Sequence, residues 1–483
     1  MIDGYGSDAT ATAQSVAQGD VSPDELLDAA LAAVDKLNPA LNAVVLMQEA
    51  VARKAIRDGL PRGPFRGVPF LIKDLGCEAV DFPSHNGSRL HANMRYARDS
   101  AIFERIRATG VVTFGRTTSP EGGIGPATES AVYGGPTRNP WNLDHTSGGS
   151  SGGAGAAVAA GIVPFAHGSD GGGSVRIPAS NGGLFGFKPT RARLPDGPYV
   201  GEGWAGMAID GFLTRSVRDT ATMLDACEGA DLGAPYCAPP LGRGHAAAIN
   251  RPPRRLRVAI CDTTLTGDPI HPECRAAVHG AAQMLADLGH HVTPSRPDAD
   301  VAMMMRAWTD IVACGTALGI NATVGRRGRP LGADEVEAVG RGAMAHAATI
   351  SGERYLEAVG QIHAFGRQMA AFFDPEAGAG PDILLTATLA EPPAKIGRFA
   401  HHTDDYVAYR TGPDGVFAYS PFCAAFNASG QPAASLPLHM TADGLPVGIH
   451  LAARFGADED LIALCAEIEA AHPWIGRRPP LHA

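Results

Sequence analysis

The sequence predicts an α/β fold in which a large mixed β-sheet, mostly of parallel strands, is covered by helices on both faces. Short apolar segments of strand length alternate with amphipathic helical segments along the 483 residues, a pattern typical of α/β proteins. Hydrophobic residues make up 45% of the chain, which suffices for a large core. The 60 glycines and 37 prolines indicate many loops and tight turns between the elements.

The N-terminal elements follow from capping signals and apolar runs. Ser22 and Glu25 form a capping box with Pro23 at the first helical position, so we expect a helix that ends at residues 38–39. The other predicted elements of this half are a short strand or helix start at 44–47, a buried strand at 68–72, a helix at 100–109, a strand at 111–114, an irregular stretch at 117–153, a helix at 154–160, a strand at 163–166, a glycine-rich loop at 168–173 and a helix at 216–227.

The C-terminal half continues the alternation. The segment 234–255, rich in proline and glycine, is expected to be a long surface connection, because strands continue on both sides of it. The predicted elements here are strands at 256–261, 382–386, 434–438 and 447–451, helices at 272–288 and 458–471, and a mostly helical segment at 301–373.

Composition argues against several classes of protein. The net charge of −10, from 40 basic and 50 acidic residues, argues against a nucleic-acid-binding surface. The longest apolar run, 154–166, is too short to span a bilayer, and residues 1–4 lack the basic and apolar regions of a signal peptide. The eight cysteines are scattered, without zinc-ligand spacing, so we expect reduced thiols, no metal site and a cytoplasmic location.

Three segments carry candidate chemistry, and the first contains a lysine. Lys73, one of five lysines in the chain, directly follows the apolar run 68–72. Desolvation at that position would favour the neutral amine, and lowering a lysine pKa from about 10.4 to about 7 requires roughly 4–5 kcal/mol. The alternative is that Lys73 lies at the end of a strand with its side chain in solvent. Without the other segments, the sequence favours this alternative.

The other two segments are loops rich in glycine and serine. Residues 146–153 fit a flexible linker, a nucleophile elbow with Ser150 in a G-x-S-x-G pattern, or a hydrogen-bonding loop at a helix N-terminus. In residues 168–178, three glycines before Ser174 would let backbone N–H groups approach a ligand and form an oxyanion hole. Asp170 and Arg176 would hold this loop by charge-assisted hydrogen bonds, unless the segment is a tight turn with a surface salt bridge.

Taken together, these segments resemble the amidase signature family. The pair Lys73-Asp74, the run Gly-Gly-Ser-Ser-Gly-Gly around Ser150 and the run Asp-x-Gly-Gly-Ser-x-Arg-x-Pro around Ser174 occur in that order. The likeness continues through 186–190, 427–433 and 446–448, and so covers nearly the whole chain. Within the family, 138–142 and 166–168 most resemble bacterial 6-aminohexanoate-cyclic-dimer hydrolases. Gly171 is a departure, since the family often has Ile or Thr there, and we expect a wider site or a softer loop that keeps its backbone donor.

The resemblance implies an amidase-signature fold and a Ser-Ser-Lys triad. Ser174 would be the nucleophile, Ser150 the bridging serine with a cis peptide bond, and Lys73 the general base. A serine hydroxyl is a weak nucleophile and needs such a base. The other implied residues are the oxyanion donors, which are the backbone N–H groups of Gly171, Gly172, Gly173 and Ser174, and the residues that support the loops, which are Ser151, Asp170 and Arg176.

The implied activity is hydrolysis of a small-molecule carboxylic amide, linear or cyclic, without a metal or an organic cofactor. By resemblance, residues 119–125 and the helical region around Cys314 line the pocket, although Cys314 fits a buried core thiol equally well. We expect one amidase-signature domain over 1–483, with a catalytic core at about 65–230 and a pocket-covering helical region at about 270–375. No nucleic-acid or membrane partner is expected, and a homodimer is assumed without a sequence feature that specifies it.

Two other functions stay open on the sequence. An α/β-hydrolase esterase would use Ser150 as the nucleophile with a distant His and Asp, but it leaves Lys73 and the second glycine-rich loop unexplained. A transamidase subunit would need partner proteins and a glutaminase activity, and nothing in the sequence forbids it.

Overall fold

One eleven-stranded mixed sheet runs through the computed structural model, which describes residues 8–251, 254–374 and 380–483. Residues 1–4, on which the absence of a signal peptide was predicted, lie outside these ranges, as do two prolines of the predicted surface connection. Within them the strands are β1 (Val44–Val45), β2 (Pro69–Lys73), β3 (Val112–Thr117), β4 (Arg138–Asn139), β5 (Asn142–Thr146), β6 (Phe165–Asp170), β7 (Phe185–Lys188), β8 (Ile209–Thr214), β9 (Arg257–Ile260), β10 (His291–Pro294), β11 (Ile383–Ala387), β12 (Ala433–Met440) and β13 (Pro446–Ala453).

The order of strands in the large sheet is β1-β3-β2-β6-β8-β7-β12-β13-β11-β9-β10, and β4 pairs with β5 in a separate ribbon. β2 runs parallel to β3 and β6, and β9 runs parallel to β10 and β11. The strands between β6 and β11 pair antiparallel. The mixed sheet is thus confirmed, but the prediction of mostly parallel strands is wrong. One reason is the short turn from β12 to β13, which forces the two strands to run in opposite directions.

Side chains that alternate along the strands build a separate core on each face of the sheet. Phe70 and Ile72 of β2 join one core and Leu71 joins the other, as expected for a period of two. The helices, which pack on both faces, are α1 (Ala9–Gln18), α2 (Pro23–Leu41), α3 (Glu49–Asp58), α4 (Ala101–Ala108), α5 (Gly152–Ala159), α6 (Arg176–Gly182), α7 (Val217–Cys227), α8 (His245–Ala248), α9 (Pro272–Asp287), α10 (Val301–Arg327), α11 (Ala338–Ala347), α12 (Gly352–Phe372), α13 (Tyr406–Thr411), α14 (Val416–Tyr419), α15 (Cys423–Ser429) and α16 (Asp458–Ala471).

Several helix boundaries test the sequence signals directly. The capping box at Ser22 and Glu25 is present at the start of α2. The prediction that this helix ends at 38–39 is wrong, because Pro39 lies inside it and Asn42 in the left-handed conformation ends it. α5 consists of small residues that are all buried, and a side chain at Gly153 would lie 2.4 Å from the backbone nitrogen of Thr118. Its composition therefore allows it to pack directly under the candidate site. Among the described helices, none combines the length and apolar character that a membrane crossing requires.

Candidate active site

The side chain of Lys73 is completely buried at the end of β2, which is the third of the eleven strands counted from the β1 edge of the large sheet. Burial lowers the pKa of Lys73 to about 7, and the charges of Asp210 and Asp170 oppose that shift only in part. The solvent-exposed alternative for this residue is therefore wrong. An amine with a pKa near neutrality is a usable proton acceptor at physiological pH.

Ser150 is the hydroxyl that Lys73 meets. The Lys73 Nζ atom lies 2.7 Å from Ser150 Oγ, and both side chains are buried. The Gly149–Ser150 peptide bond is cis, and Ser150 lies at the turn that leads into α5. Glycines are required in this turn, because a Cβ on Gly149 would lie 2.7 Å from the backbone nitrogen of Ala127. The flexible-linker interpretation of residues 146–153 is therefore wrong.

A third hydroxyl, which we did not single out from the sequence, completes the surroundings of the lysine. Ser169 Oγ lies 3.0 Å from Lys73 Nζ. A neutral amine has two N–H groups and one lone pair, so it can donate to Ser169 while its lone pair accepts the Ser150 proton. Ser169 belongs to β6, which neighbours β2 and extends to Asp170, further than the predicted 163–166. A correct strand boundary would have placed Ser169 at the sheet edge beside Lys73.

His167 of the same strand orients the backbone at Lys73. The Lys73 backbone N–H donates to His167 Nδ1 at 3.3 Å, and His167 Nε2 lies 3.0 Å from Asp210 Oδ1. Since Nδ1 accepts, the ring proton is on Nε2 and points to the carboxylate. The period of two puts His167 and Ser169 on the same face of β6, so one strand contacts both the backbone and the amine of Lys73.

Ser174 lies in the loop between β6 and α6, and it is partly buried. Together with Gly172 and Gly123 it borders a small cavity. Its carbonyl oxygen accepts a hydrogen bond from the Ser151 N–H at 3.2 Å, so the two serine loops are joined through their backbones. Ser151 also exchanges hydrogen bonds of 3.2 Å with the backbone of Ser169 through its hydroxyl. Ser151 therefore ties together all three segments that supply site serines.

A buried ion pair holds the loop that carries Ser174. Arg176 Nε and Nη2 donate to the two carboxylate oxygens of Asp170 at 2.9 and 2.8 Å, and Asn427 of α15 donates to the same carboxylate at 3.0 Å. Burial by itself would raise the pKa of Asp170, but Arg176 and Asn427 outweigh it and hold that pKa well below its usual range. The loop is thus anchored by a buried, ionised cluster rather than by a surface salt bridge.

The same cluster occupies one of the predicted oxyanion donors. The Gly173 N–H donates to Asp170 Oδ1 at 2.8 Å, so that donor is engaged within the loop. Gly172 and Ser174 border the cavity, and among the described residues their N–H groups have no hydrogen-bond partner. Gly173 has φ of +121°, and a Cβ there would lie 2.6 Å from that of Cys423, which explains the requirement for glycine.

Two tryptophans form the wall of the cavity beside this loop. A Cβ on Gly171 would lie 2.5 Å from the Trp204 ring, and one on Gly172 would lie 3.0 Å from the Trp308 ring. The rings pack edge to face with their centroids 5.7 Å apart, and Trp308 Nε1 donates to the Gly171 carbonyl at 3.3 Å. The expectation that Gly171 widens the site is therefore wrong, because an indole from a distant loop fills the space.

The two predicted pocket segments differ in how they contribute. Gly123 and Gly125 border the cavity, as expected for residues 119–125. From α10 it is Trp308, rather than Cys314, that borders it. α10 does cover the site, but the residue that faces the cavity lies almost two turns before the one we selected.

The sequence of this chain is similar to those of known amidases over nearly its whole length. A model of the Amidase family matches residues 25–462. The 6-aminohexanoate-cyclic-dimer hydrolase of Paenarthrobacter ureafaciens is 38% identical over 98% of this chain and 96% of its own. A putative amidase AmiC of Mycobacterium tuberculosis (strain ATCC 25618 / H37Rv) is 36% identical over 97% and 95%.

Solved structures agree with these relatives. A 6-aminohexanoate cyclic dimer hydrolase superimposes with a TM-score of 0.92 at 37% identity and covers 100% of both chains. A bacterial aryl acylamidase of the amidase signature family superimposes with a TM-score of 0.85 at 28% identity, over 98% of this chain and 99% of its own.

Proposed function

This chain belongs to the amidase family and hydrolyses the C–N bond of small-molecule carboxylic amides; we propose that Ser174, Ser150 and Lys73 carry out that reaction. The observation that supports this most directly is the 2.7 Å distance between Lys73 Nζ and Ser150 Oγ in a buried site. A buried lysine with a pKa of about 7 next to a hydroxyl is an arrangement suited to proton transfer.

Acylation begins with the neutral amine. Lys73 accepts the proton of Ser150 while Ser150 accepts the proton of Ser174, and Ser174 Oγ forms a bond to the amide carbonyl carbon. The carbonyl oxygen becomes an oxyanion, held by the N–H groups of the 171–174 loop other than the engaged Gly173 donor. One such preorganised donor is worth about 3–4 kcal/mol. The C–N bond then breaks as the Ser150 hydroxyl gives a proton to the leaving amine, and Lys73 returns its proton to Ser150.

Deacylation uses the same groups in the reverse sense. Water takes the place of the amine, loses a proton through Ser150 to Lys73 and attacks the ester of Ser174. The carboxylic acid leaves when Ser174 Oγ recovers its proton. Ser169 holds the amine in place through both halves, since it fixes an N–H and leaves the lone pair directed at Ser150.

The esterase alternative with Ser150 as nucleophile is less well supported by this geometry. Ser150 Oγ is hydrogen-bonded to a lysine, whereas a nucleophile elbow needs a histidine base within hydrogen-bond reach. Ser174 borders the cavity and Ser150 is almost fully buried, which favours Ser174 as the group that meets the substrate.

A cyclic amide is the second candidate substrate class. The relatives at 38% identity and the structure at TM-score 0.92 are both hydrolases of the 6-aminohexanoate cyclic dimer. Cyclic and linear amides need the same acyl-transfer groups, so they are distinguished by assaying both kinds of substrate on one enzyme preparation.

Trapping the acyl-enzyme tests the assignment of roles. In the presence of a slow ester or a fluorophosphonate, mass spectrometry of the wild-type protein should show one adduct, on Ser174. Ser174→Ala should form no adduct, and Ser150→Ala should form it on Ser174 at a rate lower by about 10²-fold or more, since general base catalysis supplies about that much. An adduct on Ser150 in the wild type or in Ser174→Ala would overturn the proposal. Activity of the pure protein without partners would exclude the transamidase alternative.

A further inference from the structure

Arg410 is the one charged side chain among the described residues that border the cavity of Ser174. It lies in α13 and only 2% of it is exposed. Its guanidinium carbon is 4.9 Å from the ring centroid of Trp308, and 5.4 and 5.6 Å from those of Tyr406 and Tyr409. The cation is thus surrounded by aromatic faces at the wall of the candidate active site.

Within residues 8–251, 254–374 and 380–483, the guanidinium has no counter-charge. Among the described residues no carboxylate lies within 4.0 Å of it, and its Nε and Nη2 atoms have no hydrogen-bond partner. Cation–π contacts offset only part of the cost of burying an unpaired charge. Buried charges are nearly always paired, and this one lacks a charged partner among the described residues.

The unpaired edge of Arg410 is the edge that binds carboxylates elsewhere in this protein. Arg176 holds Asp170 through Nε and Nη2 at 2.9 and 2.8 Å. Arg354 donates through the same two atoms to a single oxygen of Asp310, Oδ2, at 3.0 and 2.7 Å. In the Arg176–Asp170 pair this side-on fork meets both carboxylate oxygens, whose spacing it matches. The Oγ atom of Ser420, which borders the same cavity, is also buried without a partner.

We propose that Arg410 binds a carboxylate of the substrate, so that the preferred substrates are amides that carry a second, ionised carboxyl group away from the scissile bond. The proposal rests on the proposed function, because it assigns the substrate class of the same site. Ser420 would donate its hydroxyl proton to the same carboxylate. Trp308 and Phe417 border the same cavity and would flank that group.

Matched substrates test the inference. Each of the two pairs consists of an amide with a terminal carboxylate and a neutral analogue in which a methyl ketone replaces that carboxylate. In one pair the carboxylate is on the acyl side of the amide, and in the other it is on the amine side. For the wild type we expect kcat/KM to be at least about tenfold higher for the carboxylate member of one pair, mostly through KM, since hydrogen bonds to charged groups contribute about 1.5–3 kcal/mol. In Arg410→Gln this ratio should fall to about one, and Arg410→Lys should give an intermediate ratio.

Arg398→Gln is the matched control, because Arg398 also stacks on aromatic rings in this region but is paired with Glu391 at 2.6 Å. It should leave the ratio unchanged. Calorimetric binding of the carboxylate amide and of its ketone analogue to Ser174→Ala tests Arg410 apart from turnover and without altering Arg410. Equal affinity of the two ligands, or equal kcat/KM for both members of each pair in the wild type, would overturn the inference. Binding of the carboxylate ligand without turnover of any amide by the wild type would instead contradict the proposed function.

Discussion

At the scale of single residues, the ionisation of Lys73 decides when the proposed mechanism can operate. Its pKa is lowered to about 7, mainly by burial. In that mechanism the reactive form is the neutral amine. The fraction of enzyme with a neutral Lys73 therefore falls as the pH drops through 7 and approaches one well above pH 7. The direction is fixed, since protonation removes the lone pair that accepts the Ser150 proton.

We therefore expect log kcat/KM to rise with a slope of one up to about pH 7 and then to level off, because kcat/KM reports the ionisation of the free enzyme. Initial rates with an uncharged amide, over a pH range in which the protein stays folded, measure the profile. A flat profile down to about pH 4 would contradict a role for Lys73 as the base.

Gly171 shows which features of a residue the sequence can and cannot predict. The glycine run predicted a loop with free backbone donors, and this loop borders the cavity. It did not predict what fills the space of the missing side chain, because Trp204 approaches from a position 33 residues away along the chain. Arg410 was missed for the same reason, since only the fold brings it to the cavity. Ser169 was missed because its strand extends beyond the predicted end at residue 166.

Gly171→Thr should displace the Trp204 ring, because a Cβ there would lie 2.5 Å from it. We expect a loss of about 1–3 kcal/mol of stability, as for other overpacked sites. Adding Gly171→Thr to Trp204→Ala should cost less stability than adding it to the wild type, because the ring that it displaces is absent. Urea unfolding of the four proteins measures the coupling, and strict additivity would show that the two residues do not compete for the same space.

At the scale of elements, the cluster of Asp170, Arg176 and Asn427 joins β6, α6 and α15. It holds the loop that carries Ser174 from both ends. The sequence predicted the Asp170–Arg176 pair, but the contribution of Asn427 depends on a helix about 250 residues further on.

Asp170→Asn should destabilise the protein by about 3–5 kcal/mol, because it leaves Arg176 buried without a charge partner. It should also lower kcat, since the Gly173 N–H loses a charged acceptor and the loop loosens. Thermal unfolding and initial rates measure the two effects. Asp262→Asn is the control, because its partner Arg275 is 61% exposed and such pairs contribute at most about 1 kcal/mol.

The elements predicted best are those with a strong local signal. The last helix, 458–471, is confirmed at both ends, and the buried strand at 68–72 is shifted by one residue. β7 and β8 were missed, because glycines at 186 and 211 interrupt their apolar pattern. Both glycines allow close packing, since a Cβ on Gly186 would lie 2.6 Å from that of Ala179.

At the scale of the whole molecule, the continuous sheet connects the two ends of the chain. β12 and β13 lie between strands of the N-terminal half and the pair β9 and β11. A single domain with a core at about 65–230 and a helical region at about 270–375 stays a prediction. The sheet order supports it, since both halves of the chain contribute strands to the same sheet.

We expect the protein to unfold in one cooperative transition. Circular dichroism of the backbone and loss of amidase activity should share one midpoint in urea, because the site depends on contacts between distant parts of the chain. Loss of activity well before loss of secondary structure would show instead that the site-bearing region melts separately.

Finally, the two indoles that pack against each other at the cavity of Ser174 make the site visible to light. Trp204 and Trp308 border that cavity, whereas Trp141 and Trp474 line a different one. A ligand that enters beside Ser174 changes the polarity around half of the emitting side chains and leaves the other half as an internal reference. Occupancy of the site can accordingly be followed by intrinsic fluorescence of the unlabelled enzyme after rapid mixing in a stopped-flow instrument.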